Sequence, residues 1–299
     1  MSNFKNDLDH SRAAPGPAGW PRGRQFEGAG WLTVEQGRDA YGLRITDSPY
    51  WAAWWAQILR GILHVKSLPY LKVVHPPYSE KDPASQDSLF AWTAQTSVPV
   101  LAYRADKDTG DQIRADWLGQ LMLCEQLALT PSLIPAYGPD RVMMFGLAHE
   151  ILSPQGLMWN ARLLMAERML RNANLTDRQR DFSGNSKFLG GKYDLNAKQS
   201  SPVDNICDCL VLLDEQLALS AQRGSVYFFG DRLSALDIYW AYASNIVSLL
   251  PHEALAIMRF NRAMYDGFEE LFAVAVTPRL LEHRNRIFAE YLPFPVEVD

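Results

Sequence analysis

The residues best placed to do chemistry sit in one short stretch, Ser48-Pro49-Tyr50-Trp51. An apolar run, Leu43-Arg44-Ile45-Thr46, precedes it and an amphipathic segment follows, so the pattern reads as strand, tight turn and helix with Pro at the first helical turn. Such a turn aims the Ser48 hydroxyl at a helix N-terminus, where orphan N–H groups and the positive end of the helix dipole favour an anion such as a thiolate. A Ser before Pro at a strand-to-helix turn also serves as a plain turn or cap residue, and spacing alone leaves both roles open. Tyr50 and Trp51 would fall in the first helical turn, beside any ligand held there.

Other clusters offer less. Cys207-Asp208-Cys209 suggests metal or redox chemistry, but positions i and i+2 diverge on a helix and no His or second Cys pair completes a site. Buried structural thiols are expected there, with no metal. Cys124 lies in an apolar helical stripe and reads as core. The six histidines form no H-x-x-x-H pattern. Three cysteines in 299 residues are too few for a secreted disulfide framework, and the net charge of −5 gives no basic footprint for nucleic acid. No apolar window approaches the length of a membrane span, so neither a nucleic-acid nor a membrane partner is expected. A cytoplasmic location follows as the expectation.

The elements around Ser48 form a repeating α/β pattern. The helix after Ser48 carries an apolar stripe at Trp51, Trp54 or Trp55, Ile58 and Ile62, and a second strand runs Tyr70–Val74, which makes a βαβ unit. A short helix is expected from Gln86 to about Gln95. Pro99 opens the next strand, Val100–Tyr103, where proline is tolerated, and a cis Val98–Pro99 bond would turn the Val98 backbone toward Ser48. A hairpin through Lys107-Asp108-Thr109-Gly110 leads to Gln112-Ile113-Arg114, and Asp116 fits the N-cap of a helix from Trp117 to Leu127.

The second half reads as all-α. Helical periods run over 141–152, 157–170 and 203–219, and Pro251 to Phe272 contains at least one more helix. Ser234 with Asp237 approximates a capping box, with Leu233 and Ile238 at the staple positions. Asn172 to Ser201 is polar and Gly-rich and reads as a mobile excursion. Residues 1–40, with a Pro/Gly-rich start and Trp20, Phe26 and Trp31, read either as a disordered tail or as an arm docked through its aromatics.

The order strand, Ser-Pro-Tyr helix, strand, helix, Val-Pro-Val-Leu strand, hairpin and capped helix, followed by Thr130-Pro131-Ser132-Leu133-Ile134-Pro135, resembles the cytosolic glutathione S-transferase superfamily. Tyr227 to Ile238 is similar to the segment that opens the central helix of that family's second domain. The resemblance implies an α/β thioredoxin-like N-terminal domain over 41–128, a linker over 129–138 and an all-α helical C-terminal domain over 139–299, with 1–40 as an extension. It implies glutathione as cosubstrate, a small apolar electrophile and a homodimer. It places Ser48 at the glutathione sulfur, Val98 and Pro99 at the cysteinyl backbone, and the pair Ala115-Asp116 at the γ-glutamyl group. In that role Ser48 does not attack; its hydroxyl donates to the sulfur and holds the thiolate, which is the nucleophile.

The electrophile pocket would be bounded by Tyr50, Trp51, Phe145 and His149. The family has an acid followed by a hydroxyl where this chain has Ala115 and Asp116, so one carboxylate is present but shifted by a position. An ionised Asp116 would compete with a γ-glutamyl carboxylate for helix N–H groups, although the ligand's ammonium could pair with it. A different class of function, a glutathione-independent binding or assembly module on the same fold, is the alternative reading.

Overall fold

The computed structural model describes residues 30–48, 53–76, 84–171, 201–257 and 262–297; the 172–200 excursion, Trp20, Phe26, Tyr50 and Trp51 lie outside the described residues. The first half runs α1 (Val34–Asp39), β1 (Gly42–Asp47), α2 (Trp54–Val65), β2 (Tyr70–Val74), α3 (Asp87–Thr93), β3 (Val100–Arg104), β4 (Gln112–Arg114) and α4 (Trp117–Leu127). Its sheet has the order β2-β1-β3-β4, with β1 parallel to β2 and antiparallel to β3, and β3 antiparallel to β4. This is a thioredoxin-like α/β unit. An all-helical array follows: α5 (Gly138–Leu152), α6 (Leu157–Arg171), α7 (Pro202–Gln222), α8 (Ala235–Ala243), α9 (Phe268–Phe272) and α10 (Pro278–Tyr291).

Alternation along the strands sends two sets of side chains to opposite faces of the sheet. Leu43, Ile45 and Leu101 join the main core with α2, α4 and the helical array, while Val73 joins Val34 and Leu89 in a small second cluster under α1 and α3. Arg44, in the middle of β1, is fully buried. It is tolerated because every face of its guanidinium is used: Nε donates to Gly37 C=O (3.0 Å), one terminal nitrogen to Gly42 C=O (2.7 Å) and the other to the Asp111 carboxylate, with the Trp92 ring 5.7 Å away. Asp111 also accepts from Arg104 (3.0 and 3.1 Å) and from Trp92 Nε1 (2.7 Å). Burial pushes its pKa up, but the hydrogen bonds from Trp92, Arg44 and Arg104 outweigh it and hold the carboxyl below its ordinary value.

The arm is docked as far as it is described. Leu32 pairs with β2 through Lys72 C=O and Val74 N–H (both 2.9 Å), and Trp31 covers the Lys72 ammonium at 5.6 Å.

Two devices join the halves. On α2, Gly61 faces α8 so closely that a Cβ there would lie 2.6 Å from Tyr242 and 3.1 Å from Ile238. After α2, the buried ammonium of Lys66 gathers the linker, donating to Ala128 C=O (2.7 Å) and Pro131 C=O (2.7 Å) and pairing with Glu125 (2.8 Å). Leu133 C=O then accepts from Ala235 N–H (2.8 Å) at the start of α8.

Helix α8 is buried along its whole length, and its N-terminus is held as the Ser234/Asp237 pattern predicts. The Asp237 carboxylate accepts from Ser234 N–H (2.7 Å) and Oγ (2.6 Å), from Phe228 N–H (3.0 Å) and from His283 Nε2 (2.8 Å) on α10. Among the described residues no helix is long and apolar enough to cross a membrane.

One sequence expectation is corrected. The helix after Ser48 begins at Trp54 with Ala53 as an N-cap that makes no side-chain bond, so Ser48 does not cap it; Pro49 lies outside the described residues. The Asp47 carboxylate takes the Ser48 N–H at 2.7 Å, which commits Ser48 to the end of the strand rather than to the helix.

Three measurements follow. Gly61→Val is expected to lower unfolding free energy by about 3 kcal/mol in urea titration, because Tyr242 is buried and cannot retreat. Gly146→Ala, on the exposed face of α5 where a Cβ meets nothing within 4 Å, should raise it by about 0.5–1 kcal/mol. Because the folded pKa of Asp111 is depressed, its contribution is complete above the unfolded value of about 3.9 and is lost as pH falls through the folded one. Urea titrations across that acid interval should therefore show a flatter loss of stability in Asp111→Asn than in the wild type.

Candidate functional site

The strand register brings the three sequence-predicted segments to one end of the sheet. Thr46 pairs with Val100 at the end of the antiparallel β1–β3 ladder, so Pro99 and Val98, which precede Val100, and Asp47 and Ser48, which follow Thr46, lie at the same end of the sheet. On the other side of β3, Arg114 pairs with Leu101, which carries Ala115 and Asp116 to the same end.

The Val98–Pro99 bond is cis. The backbone around it is braced on both sides. Upstream, Thr96 C=O accepts from Gln86 Nε2 (3.2 Å) and lies 3.0 Å from His75 Nε2, while Gln86 also donates to Pro76 C=O (2.9 Å). Downstream, the buried Gln120 amide donates to Pro99 C=O (3.0 Å) and to Arg114 C=O (3.3 Å), and Thr46 Oγ1 accepts from Val100 N–H (2.8 Å). Between these braces the N–H and C=O of Val98 have no hydrogen-bond partner among the described residues, and Val98 is only half-buried. The Ser48 hydroxyl, also half-buried, has no partner among them either. A rigid backbone that leaves one donor and one acceptor open is what an extended peptide ligand pairs with.

Asp116 caps α4 as predicted, its Oδ1 accepting from Gly119 N–H at 2.7 Å. Gly119 leaves room for this: a Cβ there would lie 2.9 Å from Asp116 Oδ2 and 3.0 Å from Arg114 Cδ. The Arg114 side chain therefore folds back over the first turn of α4, with its guanidinium donating to Ile113 C=O (2.9 Å). Ala115 is exposed. The helix N-terminus thus already holds a carboxylate of its own, with an arginine stem beside it.

Of the residues assigned to the apolar pocket, Tyr50 and Trp51 lie outside the described residues. Phe145 is half-buried and packs on Trp117, ring centroids 6.4 Å apart, while Trp117 Nε1 donates to Ser153 Oγ (2.9 Å). His149 is exposed on α5. A small apolar cleft lies between α2, α6 and the turn after α8, lined by Trp54, Trp55, Met158, Met165, Ile246 and Tyr265. At about 10 Å³ it admits no more than a water-sized group. A wider cleft of about 350 Å³, lined by Asp140, Gln216, Arg223 and Phe229, lies in the helical half, away from Ser48, Val98, Asp116, Phe145 and His149.

The thiols are poorly suited to nucleophilic work. Burial pushes the Cys124 thiol up to about 12, and it raises Cys209 and, less completely buried, Cys207 as well. Among the described residues no group of three or more His, Cys, Asp and Glu side chains is placed to hold a metal ion.

Sequence reasoning passed over Gln120, Gln86 and His75, the residues that fix the Val98 backbone. The one signal available for Gln120 was a polar residue on the otherwise apolar face shared with Leu121 and Cys124.

No family model matches the chain, and no curated protein matches it. Solved structures similar to it include a glutathione transferase family member from Pseudomonas fluorescens Pf-5 with two glutathione bound, at 12% identity over 84% of this chain and 97% of that one, with a TM-score of 0.48. A glutathione S-transferase from Xanthobacter autotrophicus Py2 is similar at 14% identity over 83% of this chain and 93% of its own, TM-score 0.48. Maleylacetoacetate isomerase from Anaeromyxobacter dehalogenans 2CP-1, with bound GSH in the active site, follows at 18% identity over 82% and 96%, TM-score 0.42.

Gln120→Leu keeps the volume and removes the donor, so the Pro99 carbonyl loses its partner; chemical denaturation should register a loss of about 1–3 kcal/mol. An unchanged midpoint would mean that Gln120 does not brace this loop.

Proposed function

We propose that this chain is a glutathione-dependent transferase or isomerase that acts on a small apolar electrophile. The observation that carries the reading is the open Val98 backbone, braced beside a cis proline at the same end of the sheet as a Ser48 hydroxyl with no partner of its own among the described residues. Val98 would pair with the cysteinyl peptide of glutathione, which sets the sulfur toward Ser48. Ser48 Oγ–H would donate to that sulfur and stabilise the thiolate, lowering the thiol pKa so that more nucleophile is present at neutral pH. Holding the thiolate at a fixed position lowers the entropic part of the barrier to its attack on the electrophile.

The γ-glutamyl end is where the chain departs from the resemblance. Asp116 would take the ligand's ammonium, and Arg114 lies close enough to the same helix turn to receive its carboxylate. We place the glutathione-binding unit over 41–128 and the electrophile-binding helices over 139–299, and propose a cytoplasmic homodimer. The carboxylate already seated on α4 favours the second reading, a binding module that has given up glutathione.

Calorimetric titration with reduced glutathione separates the two. The enzyme reading expects micromolar to low-millimolar binding, with a bound-thiol pKa that is depressed in the wild type and rises in Ser48→Ala. Absent binding in the wild type, together with binding created by Ala115→Glu, would establish the module.

A further inference from the structure

A chain of ionic contacts runs from the far C-terminal segment to Ser48. Val296 N–H donates to Ala254 C=O (2.8 Å), and Gln57 Nε2 on α2 donates to Glu297 C=O (3.0 Å), so the backbone of this segment is pinned against α2. The Glu297 carboxylate then pairs with Arg60 at 3.2 Å, and Arg60 faces Asp47 at 3.7 Å. Asp47 in turn accepts the Ser48 N–H at 2.7 Å, while its own C=O accepts from His75 N–H (2.9 Å).

Burial decides which of these contacts has consequences. Glu297 is 47% exposed, and an ion pair at an exposed carboxylate is ordinarily worth little. Arg60 and Asp47, at 7% and 3% side-chain exposure, are shielded from water, and a buried guanidinium must be matched by charge and hydrogen bonds. At 3.7 Å the Asp47 carboxylate is too distant to hydrogen-bond Arg60 well, so Glu297 supplies the closer partner. Tyr70 also bonds Arg60, from β2.

We infer that Glu297 is a positioning residue for Ser48: by engaging Arg60 it leaves the Asp47 carboxylate on the Ser48 amide and fixes the strand end that presents the hydroxyl. Without Glu297, Asp47 is the nearest carboxylate to Arg60 among the described residues, and Arg60 draws it away from Ser48 N–H. This inference rests on the reading of Ser48 as the group that faces the glutathione sulfur, but the placement of Ser48 is measurable in the ligand-free protein.

The test is amide hydrogen exchange followed by NMR on the full chain, in wild type, Glu297→Gln and Glu297→Asp. Gln keeps the shape and removes the charge; Asp keeps the charge. Exchange of the Ser48 amide should be roughly threefold or more faster in Glu297→Gln and nearer wild type in Glu297→Asp, with the Leu43 and Ile45 amides of the same strand unchanged. An unchanged Ser48 rate in Glu297→Gln, or a parallel rise at Leu43 and Ile45 that reports general loosening, overturns the inference. Glutathione titration of the same wild-type sample tests the functional reading separately, since a protein that binds no glutathione still gives a decisive exchange result.

Discussion

Everything in this molecule is arranged around the close approach of α2 and α8. The two helices can touch because Gly61 has no side chain where Tyr242 and Ile238 press against it. With its other face on the sheet, α2 is buried almost throughout and belongs to both halves at once. The residue before the contact, Arg60, reaches the end of β1, and the residue after the helix, Lys66, holds the linker. The strand end that carries Ser48 and the helical array are therefore positioned by one rigid element. Close-packed interiors transmit small displacements rather than absorbing them, so the geometry at Ser48 is coupled to how the array seats on α2.

The polar groups buried near the site serve the backbone. Gln120, Gln86 and Thr46 spend their hydrogen bonds on carbonyls and an amide flanking Val98. A buried amide that fails to find its partner carries a penalty of a few kcal/mol at most, yet three such bonds converging on one turn leave it a single arrangement. The chemistry open to the site is then decided by which backbone groups are left over, and those belong to Val98.

Much of the fold was legible because it is locally encoded. The bounds of β2 and α4, the Asp116 cap, the β3–β4 hairpin and the Ser234/Asp237 arrangement all rest on residues within a few positions of one another. What the sequence concealed depends on partners distant along the chain. The Asp237 carboxylate meets His283 from 46 residues away, Arg44 meets Asp111 across 67, and Arg60 meets Glu297 across 237. The start of α2 lies beyond the Ser-Pro pair, a strong local helix signal, because the Asp47 carboxylate takes the Ser48 amide, a bond that looks in sequence like an ordinary acid before a serine. Helix α10 went unnoticed within a charged stretch whose apolar face, Leu280, Ile287 and Phe288, is evident only when α8 is beside it.

The pairing of Leu32 with β2 has a consequence for how the protein behaves among its neighbours. A sheet border presents a row of unsatisfied amides and carbonyls to which any other extended chain can add, and natural proteins shield such borders to avoid clumping. Among the described residues the shield is Leu32, joined to β2 by two bonds, with Trp31 laid over Lys72 beside it. A protein shortened past Leu32 would keep its core and its Ser48 turn, yet carry an open β margin, and its first failing would be in solubility rather than in fold.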